Sequence, residues 1–283
     1  MSNRLLGEGT FGSVYREIYN NKTYAIKYVK VEETKTINIL DVEKHLMKEV
    51  DIATRLIHPN VIKTYYGHIV NRNNEIYIQI VMDYCHRKNL HYFILNHNIA
   101  HRVPMFLMNI LNGLHYIHSM NIIHRDIKPQ NILVDYHYNL KICDFGIARE
   151  HKLMDDLNTH TPQMITIWYR PPELLIGSNN YSYEIDVYSA GCIFGEMLTG
   201  KPLFRGKDTM NGRNEILNSI RILQDYLATQ TSNQEKLLLA MINNSKDRIS
   251  IIDAMRHPYF ADPLPNPPSE VELFNEAIDT YNA

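Results

Sequence analysis

Glycines, a strand lysine and a set of carboxylates and amides are spaced in this chain in a way that suits phosphate chemistry. Gly7-Glu8-Gly9-Thr10-Phe11-Gly12-Ser13-Val14 fits G-x-G-x-x-G-x-V, with Leu6 just before it. Glycines there permit positive φ and let backbone N–H groups approach phosphate oxygens with no Cβ in the way. The same spacing opens dinucleotide-binding folds, where a helix must start at the last glycine. Ser13-Val14-Tyr15 instead reads as a continuing strand, and a glycine-rich hairpin turn is the plain alternative. Further on, Asp126 and Lys128 set a carboxylate beside a cation, and Asn131 and Asp144 add two hard oxygen donors. A well-placed carboxylate can accept a hydroxyl proton. Amide and carboxylate oxygens suit Mg²⁺. Taken singly, Asp and Asn in loops are usually turn formers, and a lone strand lysine such as Lys27 usually faces solvent.

The order of the motifs changes that reading. Ala25-Ile26-Lys27, then Ile123-His124-Arg125-Asp126-Ile127-Lys128-Pro129-Gln130-Asn131, then Asp144-Phe145-Gly146 follow the glycine loop. With these motifs in this order the chain resembles the eukaryotic protein kinase family over nearly its whole length. The resemblance implies an α+β, bilobal protein-kinase fold, with a small β-rich N-lobe holding one main helix and a larger α-helical C-lobe. It implies ATP and Mg²⁺, with Lys27 on the α- and β-phosphates. Glu49, nine residues before His58, is the favoured partner of Lys27, and Glu43 is the competing choice. Asp126 becomes the catalytic base, Lys128 stabilises the transferring phosphoryl group, and Asn131 and Asp144 hold the metal. Residues Leu6 to Val14 cover the nucleotide. Val14, Ala25 and Leu133 sandwich the adenine, Met82 is the gatekeeper, and backbone groups of Asp83 and Cys85 face the base. Ordinary core packing is the plain alternative for Val14, Ala25 and Leu133. A catalytically inactive pseudokinase scaffold is the runner-up function, and intact Lys27, Asp126, Asn131 and Asp144 argue against it.

Asp-x-Lys-x-x-Asn in the catalytic loop is the text of Ser/Thr kinases in this resemblance. Thr166-Ile167-Trp168-Tyr169-Arg170-Pro171-Pro172-Glu173 resembles the T-x-W-Y-R-A-P-E stretch of cyclin-dependent and related proline-directed kinases, with Pro171 in place of alanine. Thr166 is expected near Asp126 and Lys128, and Arg170 leans the acceptor towards a following proline. Glu173 is expected to pair with Arg248, and Asp186 to anchor the catalytic loop. Thr161, seven residues before Trp168, matches the activating phosphothreonine, with Arg125, Arg149 and Lys48 as its cationic pocket. Lysine offers a point charge where arginine offers a fork. Gln163 stands where the mitogen-activated branch carries tyrosine. A cyclin-like activator is left open, because the text before Glu49 lacks the P-S-T-A-I-R-E motif and the long insert before Lys246-Asp247-Arg248 is missing.

These residues need particular elements to bring them together. Val14-Tyr15 and Thr23 to Val29 read as strands. Val42, Leu46, Val50 and Ala53 recur at helical spacing in a helix over 41–56, ended by His58-Pro59. Strands are expected at 61–63 and 76–82. A β-like stretch between Asn131 and Asp144 forms a hairpin that brings the two metal ligands together. Helices follow at 90–96, 104–119, 184–198, 214–227 and 234–243. The domains expected are an N-lobe at 1–83, a hinge at 84–88, a C-lobe at 89–261 and a tail at 262–283.

Composition limits the alternatives. A hydrophobic share of 45% and a charged share of 21% suit a globular chain with a sizeable core. Net charge is −2, which gives no field favouring nucleic acid or an anionic membrane. Three scattered cysteines show no metal spacing and point to a reducing compartment, so an intracellular, cytoplasmic or nuclear, setting is expected, with a monomer as the default. No apolar run reaches membrane-spanning length. With Gly7 so early, no signal peptide is expected.

Overall fold

The computed structural model describes residues 4–9, 12–31, 39–72, 75–151 and 167–261. Thr10, Phe11, Thr161, Thr166 and the 262–283 tail lie outside them. Five antiparallel strands make the first sheet, in the order β1-β2-β3-β5-β4. They are β1 (Arg4–Gly9), β2 (Gly12–Tyr19), β3 (Lys22–Lys30), β4 (Thr64–Arg72) and β5 (Glu75–Asp83). Residues 25–29 of β3 are buried on both faces. One face packs on α1 (Ile39–Arg55), where Val50 and Met47 meet Val31, Ile78 and Ile80. The other face is tyrosine-rich, with Tyr15, Tyr24, Tyr65 and Tyr77 covering Ile26, Tyr28 and Val81. Period-2 alternation places Lys27 on the face towards α1, beside Ala25 and Val29.

The expected strand at 61–63 is a correction. Val61 instead makes an isolated bridge to Ile142, and Ile62 N–H donates to Ile142 O at 2.8 Å. Those backbone groups are spent on the helical half, and β4 starts later, with an irregularity between Thr64 and Tyr66.

Beyond Asp83 the chain crosses to helices: α2 (Leu90–Asn96), α3 (Val103–Ser119), α4 (Pro172–Leu175), α5 (Glu184–Thr199), α6 (Met210–Ala228), α7 (Asn233–Met241) and α8 (Ile251–Met255). Asn89, Thr209, Ser232 and Ser250 cap α2, α6, α7 and α8 by accepting backbone N–H groups. Helix α5 is buried all round from Ile185 to Met197, so it is the axis of this half. Phe106, Leu107, Ile110 and Leu114 of α3 pack in the same core. Short β-pairs complete the half: β6 (Ile122–Ile123) with β9 (Arg149–Glu150), and β7 (Ile132–Val134) with β8 (Leu140–Ile142). Among the described residues no helix is long and apolar enough to cross a membrane.

Candidate active site

The glycine loop is the β1–β2 turn. Gly12 has φ 123°, and a Cβ there would lie 2.1 Å from Tyr28 O, so only glycine fits. Gly7 pairs with Val14, Gly9 with Gly12, and Ser13 Oγ donates to Glu8 Oε1 at 3.2 Å. Leu6 sits in the irregularity of β1 and is largely exposed.

The register Val14↔Lys27 and Ala25↔Met82 puts these side chains at neighbouring positions of the sheet. Met82, Cys85 and Leu133 are partly buried against the helical core. Asp83 N–H is used on Lys63 O at 2.9 Å, so the backbone group that Asp83 can offer a base is its carbonyl. Burial pushes the Cys85 thiol up to about 12, and the Cys143 thiol is raised by burial too.

Lys27 is the centre of the electrostatics. Its Nζ lies 3.0 Å from Glu49 Oε1 and 3.0 Å from Asp144 Oδ1. Burial would push this ammonium down, but the two carboxylates outweigh it and its pKa is raised. Glu49 is raised because burial exceeds the stabilisation from Lys27. Asp144 is lowered: burial opposes the shift, and Lys27 outweighs it.

The loop between α3 and β7 brings the remaining groups in. Lys128 Nζ is 2.7 Å from Asp126 Oδ2, and Asn131 Nδ2 donates to the same oxygen at 2.8 Å and to Asp126 O at 2.9 Å. Among the described residues, Asp126 Oδ1 carries no hydrogen bond. Cys143 N–H donates to Asn131 O at 2.9 Å, which ties Asn131 to the residue before Asp144. The β7–β8 hairpin therefore positions both oxygen donors. With its amide nitrogen turned to Asp126, Asn131 has Oδ1 as its free ligand atom. This pair suits a hard cation that keeps water and phosphate oxygens as its other ligands.

Asp186 anchors that loop. Its Oδ2 accepts His124 N–H and His118 Nε2, and its Oδ1 accepts Arg125 N–H, each at 2.9 Å. Burial would raise this carboxyl, but the bond and charge of His118 and the backbone N–H of His124 outweigh it and the pKa is lowered. The His124 ring accepts Asp126 N–H at Nδ1 (3.3 Å) and meets Cys143 O at Nε2 (3.1 Å), the pattern of a neutral ring protonated at Nε2. Arg125 is held at φ 68°. Its Nε donates to Ile147 O at 2.6 Å and its Nη1 to Tyr181 OH at 3.1 Å. Burial, then the charge of Arg125, lowers the pKa of Arg149, so two guanidiniums share this corner. Lys48 is exposed on α1.

Asp126, with Arg125, Ile127, Tyr169, Arg170 and Pro171 among others, lines a small pocket. Pro171 takes φ −68° and ψ 158°, so its ring fits the cap of α4 without strain. Trp168 Nε1 donates to Gly206 O at 2.9 Å, and Tyr169 OH donates to Glu196 Oε2 at 2.6 Å. Glu173 and Arg248 form a two-bond pair at 2.7 and 3.1 Å, with Arg248 also donating to Asn243 O and Glu184 O. His118, Tyr181 and Glu196 were not singled out from the sequence. Each meets its partner across 27 to 68 residues, and no local spacing signals such a pairing.

A bilobal α+β fold with a lysine ion-paired to a helix carboxylate and to Asp144 defines a protein kinase. Residues 1–260 match the family model for the protein kinase domain, and the chain belongs to that family. Cyclin-dependent kinase 15 of Danio rerio is 32% identical to it, over 93% of this chain and 68% of that protein. The chain is therefore an ATP-dependent Ser/Thr protein kinase of the cyclin-dependent-kinase-like type.

Proposed function

We propose that this kinase uses Mg²⁺ with ATP, takes Asp126 as its catalytic base, prefers Ser or Thr followed by proline, and is activated by phosphate on Thr161. The observation that carries the catalytic part is the pair of ion bonds at Lys27, set beside an Asp126 whose Oδ2 is occupied by Lys128 and Asn131. Oδ1 is then the atom that takes the proton as the substrate hydroxyl oxygen bonds to the γ-phosphorus and the bond to ADP breaks. Lys128 supplies positive charge at the transferring group. Lys27 holds the α- and β-phosphates, with Glu49 fixing its direction. Asn131 and Asp144 are the residues that would hold Mg²⁺, whose part is to neutralise phosphate charge.

The specificity part is supported by Arg170 in the pocket beside Asp126 and by the Trp-Tyr-Arg text. The regulatory part is supported by Arg125 and Arg149, two cations near one another; Lys48 is the third cation that the resemblance names. A cyclin-like activator fits the relative's name and would act on α1. The lobes are assigned as 1–83 and 89–261, joined by 84–88, with a tail at 262–283. Three free cysteines support an intracellular, cytoplasmic or nuclear, setting.

The test offers the purified protein Mg-ATP with Ser-Pro, Ser-Ala and Tyr peptides, with and without phosphate on Thr161. Transfer to Ser-Pro above Ser-Ala, and none to Tyr, is expected, with loss of stimulation in Thr161→Ala. Equal use of Ser-Ala removes the proline preference, and equal activity of Thr161→Ala removes the switch.

A further inference from the structure

An ion pair outside the catalytic set joins α1 to β9. Arg55, the last residue of α1, places Nη2 2.6 Å from Glu150 Oε1, with Asp51 Oδ2 3.3 Å away and Nε on Asp51 O. Both partners are half-exposed, at 41% and 35%. Glu150 is on a fixed mount. It pairs with Ile122 in the β6–β9 ladder. The next residue, His151, donates its N–H to Asn121 O, meets Ser182 Oγ at 2.9 Å and stacks on Tyr183.

The other end of Arg55's connection is the helix that carries Glu49. Just past α1, Ile57 N–H donates to Tyr116 OH at 3.0 Å, His58 stacks on the same ring, and Ile62 bonds to Ile142. Those contacts fix where the helix ends, and the buried side chains Val50, Ile52 and Ala53 hold its apolar face. Glu49 and Arg55 are six residues apart, which separates them by about 240° around the axis and about 9 Å along it. Two bonds on different sides of the helix add to that packing in holding its roll.

We propose that Arg55 and Glu150 are positioning residues that bias the roll of α1 towards the orientation in which Glu49 meets Lys27. The inference rests on the kinase activity and is independent of proline preference and of Thr161. An exposed ion pair supplies a modest bias, about 1.5- to 5-fold in a two-state equilibrium, and salt weakens it.

The test is a double-mutant cycle on the full chain: Arg55→Gln, Glu150→Gln, both together, and Arg55→Lys as the conservative control. Steady-state kcat and KM for ATP are read at low and at about 0.5 M salt, with amide hydrogen exchange across 47–55 alongside. Each Gln variant should lose about 2- to 5-fold, mainly in kcat, and should lose protection in α1. The double variant should lose no more than the worse single, because the two residues act as one unit. Arg55→Lys should stay within 2-fold, and high salt should remove the differences. Unchanged exchange and rates in the singles, or multiplying losses in the double, overturn the proposal. Hydrogen exchange reads the pair whatever the turnover, so a poor peptide substrate does not blunt the test.

Discussion

Changing Asp186 to Asn should loosen the catalytic loop while leaving the lysine side of the cleft in place. The carboxylate is fully buried and takes three donors, two on Oδ2 and one on Oδ1. Asparagine has one acceptor oxygen. With that oxygen towards His124 and His118, its NH₂ group points at Arg125 N–H, donor against donor. The bond lost there is charge-assisted and worth about 1.5–3 kcal/mol. The two that remain fall to neutral strength, which costs roughly 1 kcal/mol each. Arg125 is also held at φ 68°, a conformation of order 1–3 kcal/mol above the usual wells, and the lost bond is one that holds it there. The sum is about 3–5 kcal/mol, or roughly 6–15 °C in melting temperature for a domain of this size. Asp126, the proposed base, follows Arg125 directly, and a shift of an ångström at a base costs on the order of 100-fold in rate. Lys27 makes no bond to this network, so affinity for a fluorescent ATP analogue should stay within about 3-fold of the parent. The assays are a melting curve, single-turnover phosphoryl transfer and nucleotide titration. A variant with unchanged transfer, or with stability within about 1 kcal/mol of the parent, would refute the anchoring role.

Other changes have distinct signatures. Lys27→Met leaves Glu49 and Asp144 facing each other without a cation; stability should drop by about 3–5 kcal/mol, with phosphoryl transfer nearly abolished, read by urea unfolding and radiolabelled ATP. Arg248→Leu strands Glu173 beside a buried site and should cost a similar amount, while Arg248→Leu with Glu173→Leu recovers much of it; a melt of all three variants decides. Asp186 and Asp144 have lowered folded pKa values, so the stability they add is full above the unfolded carboxylate value near 4 and is lost as pH falls through the folded values. Glu49, raised by burial, gives a slope of opposite sign just above that range. Urea midpoints from pH 7 to pH 3 should therefore fall steeply at the acid end, and less steeply in Asp186→Asn.

Much of the fold is legible in the sequence because local rules agree with it. Leu90–Asn96 follows from its apolar spacing, and Asn89 caps it. Helix α6 begins four residues before the expected 214, since Thr209 caps Met210 and periodicity alone does not mark that polar first turn. The strand expected at 61–63 fails for a tertiary reason: Val61 and Ile62 pair with Ile142, 80 or more residues away. At the site, Lys27 bonds Glu49, the glutamate that the family resemblance favours over Glu43. Arg55 with Glu150, Arg125 with Tyr181 and Tyr169 with Glu196 had no such guide. They are joined by chain topology across 95, 56 and 27 residues, and each side chain alone reads as an ordinary surface or core residue.

Single-turnover transfer by Asp126→Asn, with nucleotide affinity measured in the same preparation, tests the proposed base most directly. Asparagine keeps the shape and the contacts to Lys128 and Asn131 within reach, but it cannot take the hydroxyl proton. The predicted result is a fall of about 10²- to 10⁴-fold in the rate of transfer to a Ser peptide, with nucleotide affinity within about 3-fold of the parent. Transfer at the parent rate, or a loss confined to nucleotide binding, would contradict it.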